Sequence, residues 1–303
     1  MSSVASGIAR KGTESDLLIY DKREGDLAVS IVIPQTYPEK IQPLLQSLYM
    51  SDASVIFADT VDARLGEEIV ALGNFGLSGL IVADEQTGER VRLLMGSRVQ
   101  GWSVVSGGDA GKRIWEFLLN LETQRKADAE HWRIDVDHSF EVKGVGTVAL
   151  GLVKYGTVRI HDKLIAMPGG REGSVRSIQI FDVDHKEAAA GSRVGIAIKG
   201  LSPSQLPRGT VLTDNMRFES ARSLSISFAR EPYYREELAP GKIIHVNTGL
   251  QCNQARIIEA GERLEVETDQ ELAFENENAV IFNAKPPGSL RIAGRGTVSK
   301  LIG

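Results

Sequence analysis

Val136–Leu164 reads VDHSFEVKGVGTVALGLVKYGTVRIHDKL, Val175–Leu201 reads VRSIQIFDVDHKEAAAGSRVGIAIKGL, and Leu206–Thr213 reads LPRGTVLT. These stretches fall between Asp135 and Thr213, and they decide the fold. Phe140, Val142 and the run Thr147–Val153 are β-branched or apolar with the alternation of strands. Gly144 and Gly146 interrupt the run as a bulge or sharp bend would. Lys154-Tyr155-Gly156 and His161-Asp162 are turn signals before Thr157–Ile160 and Lys163–Met167, and Gly169-Gly170 ends the next hairpin arm. Val194, Ile196 and Ile198 share one face of a strand, with Gly195 and Ala197 on the other. Many short strands at this spacing predict a closed barrel, which leaves no exposed edge.

The same residues resemble the second domain of the translational GTPases. The pattern is that of the EF-Tu-like family and, within it, of the archaeal-type selenocysteine-specific elongation factor. The resemblance implies an order of domains: an α/β G domain with a Ras-like parallel sheet, then two β-barrels. The expected boundaries are residues 1–129, 130–213 and 214–303.

Working outward, 303 residues suit two or three domains. Hydrophobic content of 42% and charge of 25% mark an ordinary globular chain. No apolar run approaches the roughly 20 residues of a membrane span, and the opening MSSVASGIARKG has no signal-peptide core. The single cysteine, Cys252, excludes an internal disulfide and a cysteine-based zinc cluster, so a reducing cytoplasm is the expected setting. The histidines lack ligand spacing, and no metal or other cofactor is expected. Of the net charge of −5, roughly all lies before Glu130, with residues 130–213 near +2 and the remainder near −2. That distribution withholds a basic RNA-binding footprint.

Residues 13–120 alternate strand and helix. Leu17–Tyr20, Ala28–Ile33, Ala53–Ala58, Leu77–Ala83 and Ser103–Val105 read as strands. Glu39–Met50, Leu65–Leu72 and Lys112–Leu121 read as helices. The alternation predicts a mostly parallel, helix-covered sheet. A working G domain needs GxxxxGK[ST], whose backbone and lysine hold phosphates. The nearest stretch, Ser106–Arg113, lacks the first glycine and has Arg113 in place of Ser/Thr. By the resemblance it also lies where the family has its base-contacting loop, so a glycine-rich strand-to-helix turn is expected there rather than a phosphate site.

By the resemblance, the other nucleotide motifs depart too. Arg10–Asp16 matches the switch I region, with Glu14 at the magnesium-binding threonine. Ile33–Lys40 stands where the family has Asp-x-Pro-Gly-His. Pro34 replaces the aspartate there, Tyr37 the glycine and Pro38 the histidine. Ala83–Gln86 stands for Asn-Lys-x-Asp, with Ala83 first and Gln86 at the guanine-reading carboxylate. Only about ten residues precede the switch I-like segment, whereas a first strand, phosphate loop and helix need roughly 35. The expected sheet therefore lacks its first strand and P-loop, leaving an incomplete sheet through which copies could associate. A longer chain would give the same appearance.

Arg217–Gly303 reads as a second β-rich unit. Its strands are expected at Ser223–Phe228, Lys242–Thr248, Ala255–Glu259, Arg263–Thr268, Ala279–Asn283 and Gly294–Ile302. Gly241–Thr248 and Leu290–Val298 resemble strands of the family's third domain. In the family the second domain receives the aminoacylated end of tRNA. The matching wall is Gln179–Val183 with Arg193, where Asp182 opposes an anionic end. Arg230, Tyr233, Tyr234 and Arg235 form the best aromatic-cationic patch. It suits base stacking, a protein interface, or tyrosines folded onto the barrel. No catalytic residue is identified. The expectation is a pseudo-GTPase that acts as a translation-related binding module for tRNA, the ribosome or a protein. The alternatives are an active GTPase with an unusual or external phosphate loop, and a regulatory scaffold without a nucleic-acid role.

Overall fold

The computed structural model describes residues 10–25, 27–96, 102–105, 110–123 and 125–301. Val4–Ala9, a candidate helix remnant, and Ser106–Asp109, the glycine-rich candidate loop, lie outside the described residues. The chain divides into two compact units. The first comprises residues 1–123, 230–235 and 282–294; the second comprises 124–229, 236–281 and 295–303.

The first unit opens with three strands, β1 (Arg10–Glu14), β2 (Leu17–Glu24) and β3 (Leu27–Pro34). They pair antiparallel in the order β1-β2-β3. The link between β2 and β3 is too short for the crossover that parallel pairing needs, and Gly25 takes a left-handed φ of 62° within it. The parallel part of the sheet is separate: β4 (Ala53–Phe57), β5 (Ser78–Val82) and β6 (Ser103–Val105), in that order. Helix α2 (Ala63–Phe75) carries the chain from β4 to β5, and α3 (Glu85–Met95) lies between β5 and β6. Ala53 pairs with Ser78 and Leu80 with Ser103. The expected parallel sheet is present as β4-β5-β6, and β1-β2-β3 form a separate antiparallel sheet.

Helix α1 is Gln42–Met50, shorter at its start than the Glu39–Met50 read from periodicity. Pro43 sits in its first turn, where the missing N–H has no intrahelical partner to lose. Helix α2 is capped at both ends: Asp62 accepts from Leu65 N at 2.9 Å, and Gly76 closes it at φ 64°. Helix α4 (Ala110–Leu119) places Ile114 against Leu80 and Val105.

The second unit holds a closed barrel of β7 (Arg133–Val142), β8 (Gly146–Tyr155), β10 (Lys163–Met167), β11 (Arg171–Ile180), β14 (Arg193–Lys199) and β15 (Val211–Thr213). The order is β10-β15-β7-β8-β14-β11, and β10 pairs with β11 to close it. The small strands β9 (Thr157–Arg159) and β13 (Glu187–Ala189) pair with each other, and β12 (Val183–His185) folds back antiparallel on β11 as a hairpin. Val194, Ile196 and Ile198 point into the core with Trp132, Ile134 and Val136. Gly144 and Gly146 lie at the sharp bend between β7 and β8, where Val145 N donates to Val142 O at 3.0 Å.

A second closed barrel runs β16-β19-β18-β17-β20-β21. Its strands are β16 (Glu219–Arg230), β17 (Ile243–Thr248), β18 (Gln251–Ala260), β19 (Arg263–Phe274), β20 (Asn278–Phe282) and β21 (Ile292–Lys300). Within the second unit the barrels are joined by polar and apolar contacts. Arg133 pairs with Asp135, Nε to Oδ1 at 2.8 Å, and with Glu277 through Nη1. Glu275 accepts from Tyr155 Oη at 2.9 Å and from Asn215 Nδ2 at 2.6 Å. Val211, Phe218 and Ala273 pack together beside them.

Candidate functional site

The segment after β3 is a closed turn. Gln35 N donates to Asp16 O at 2.9 Å, Tyr37 N to Pro34 O at 3.3 Å and Lys40 N to Thr36 O at 2.8 Å. Pro34 ends the ladder opposite Leu17, and Pro38 is half-buried in the turn. Tyr37 donates its hydroxyl to Arg64 O at 3.1 Å. Its ring centroid lies 5.8 Å from the Arg291 guanidinium, within cation–π range. Burial, and then Glu68 and Glu67, hold the phenol far above its ordinary range.

Arg291 organises this region. It is 2% exposed. Its Nε donates to Glu67 Oε1 at 3.1 Å, its Nη2 to Oε2 at 2.5 Å and its main-chain N to Oε1 at 2.9 Å. Nη1 reaches Glu39 O and Lys285 O at 3.4 Å. The rigid five-donor fork of arginine allows one side chain to meet a carboxylate and two carbonyls together. Beside it, the Glu68 carboxyl is pushed up to about 7 by burial, a shift that Arg64 opposes. Sequence reading placed Leu290–Val298 only as a closing strand. A lone arginine between apolar residues carries no pattern that names a partner more than two hundred positions away.

Of the remaining positions matched to nucleotide motifs, Ala83 and Asp84 serve local structure. Ala83 N donates to Val105 O at 3.1 Å. Asp84 caps α3, accepting from Thr87 N at 2.9 Å and from Thr87 Oγ1 at 2.7 Å. These bonds hold its carboxyl below the usual carboxylate range. Gln86 is exposed in the first turn of that helix. Glu14 ends β1 with its main chain opposite Leu18. Lys112 and Arg113 are exposed on α4. Among the described residues, no group of three or more His, Cys, Asp or Glu is placed to hold a metal ion.

On the first barrel, Arg193 Nη2 reaches Asp137 Oδ2 at 3.0 Å, so its guanidinium meets a buried carboxylate of the same barrel. Asp182 and Phe181 both take left-handed φ values, 60° and 52°, in the turn between β11 and β12. Gln179 Nε2 bonds Asp184 Oδ1 at 2.9 Å across that hairpin. The aromatic-cationic patch is divided: Tyr233 is 62% exposed and Tyr234 only 4%. Arg230 folds back onto Tyr234, Nη2 to its carbonyl at 3.3 Å and 5.4 Å from the ring centroid. Arg235 is exposed. Tyr233 and Arg235 thus present the outward part of the patch, while Tyr234 belongs to the core.

Residues 146–213 match the family described as Elongation factor Tu domain 2. Uncharacterized protein MJ0325 of Methanocaldococcus jannaschii is 34% identical over 281 residues, 91% of this chain and 89% of that protein. The selenocysteine-specific elongation factor of the same organism is 26% identical over 254 residues, 76% of this chain and 54% of that factor. This chain thus spans about half the length of that relative. Elongation factor 1-alpha of Methanosarcina barkeri is 35% identical over 107 residues, 35% of this chain and 25% of that protein. Among solved structures, the translation elongation factor SelB of Methanococcus maripaludis, crystallised with the GTP analogue GppNHp, superposes with a TM-score of 0.81 at 22% identity. That match covers 99% of this chain and 75% of the other, and it shows the shared fold.

Proposed function

The chain belongs to one family with Uncharacterized protein MJ0325, a family with an EF-Tu second domain and sequence kinship to archaeal selenocysteine-specific elongation factor and elongation factor 1-alpha, and from that premise we propose that it is an elongation-factor-like binding protein without GTP binding or hydrolysis. One observation carries the reading: three positions matched to nucleotide motifs, Tyr37, Pro34 and Asp84, are committed to the fold. Tyr37 is tied to Arg64 and lies against Arg291, Pro34 closes a strand, and Asp84 caps a helix. A γ-phosphate sensor needs a residue free to flip, and a guanine reader needs a carboxylate aimed at the base. Each missing charge-assisted contact removes about 1.5–3 kcal/mol of binding. Titration calorimetry of the chain with magnesium and GTP is expected to give no heat of binding. A micromolar dissociation constant overturns the reading and favours an active GTPase.

The binding partner in this reading is tRNA, the ribosome or a translation-related protein. Tyr233 and Arg235 offer one exposed ring and one exposed cation for it. A gel shift with total tRNA separates the nucleic-acid role from a protein-only scaffold. Retardation that weakens with Tyr233→Ala supports the first, and no retardation supports the second.

A further inference from the structure

We draw no further inference here: the strongest candidate, the slot of about 190 Å3 between β3 and β4, where each strand has one edge that no strand pairs among the described residues, carries nothing because nothing in the structure shows what covers it.

Discussion

Glu67 and Glu68 are neighbours on one helix with opposite fates. Glu67 is gripped by the fork of Arg291, and Glu68 stands 3.9 Å from Arg64. Replacing Arg291 with Met strands a buried carboxylate, which costs about 3–5 kcal/mol. Urea unfolding is expected to show that loss, and Glu67→Leu added to Arg291→Met is expected to recover most of it. Glu68 works through pH. Its folded carboxyl lies at about 7 against an ordinary 4.5. A carboxyl raised on folding contributes its stability fully below the ordinary value and loses it as pH rises through the folded value. The wild type is therefore expected to lose about 2–3 kcal/mol between those pH values relative to Glu68→Gln. Equal slopes of stability against pH in the two proteins would refute this. Neither fate was legible in the sequence, where the two glutamates differ only by one position on a helix; tertiary packing chose between them.

At the scale of elements, alternation and turn chemistry found most strands, because they act within a few residues. The reading of Val194, Ile196 and Ile198 as one inward face is an example. It missed α3, whose sequence EQTGERVRLLM mixes a glycine and a β-branched threonine into a mostly polar helix. The start signal was present in Asp84, which caps that helix and was assigned instead to a nucleotide motif. The expected strands of the second barrel were too short at several ends; β16 and β19 run on to Arg230 and Phe274. Barrel closure explains the extension, since long paired strands continue wherever the neighbour supplies partners. Close approach also fixes Gly296, where a Cβ would come within 2.2 Å of Ser227 O. Gly296→Ala must move main chain, so thermal unfolding is expected to report a destabilisation of about 1–3 kcal/mol. No change in melting temperature would show that β21 and β16 can separate freely.

For the whole molecule, the barrels share buried polar contacts: Arg133 with Glu277, and Glu275 with Tyr155 and Asn215. Burial raises the Glu277 carboxyl and Arg133 opposes that shift, so the pair depends on both partners staying in place. A fragment of residues 130–303 is expected to unfold in one cooperative transition, and Glu277→Ala is expected to split or broaden it. Two separate transitions in the unaltered fragment would show that the barrels are independent. The sequence by itself determined the α/β start, the barrels and the kinship of the second domain, because two-residue alternation, glycine turns and local motifs are properties of short stretches. Its match of residues such as Tyr37 and Asp84 to nucleotide motifs is an expectation that the resemblance carries. Only the tertiary structure decided what those residues do instead, that Tyr234 is core while Tyr233 faces outward, and that β3 and β4 border one slot. Those outcomes depend on which distant segments meet, and the pairing of Arg291 with Glu67 shows why: both side chains are polar by type and buried only because each satisfies the other.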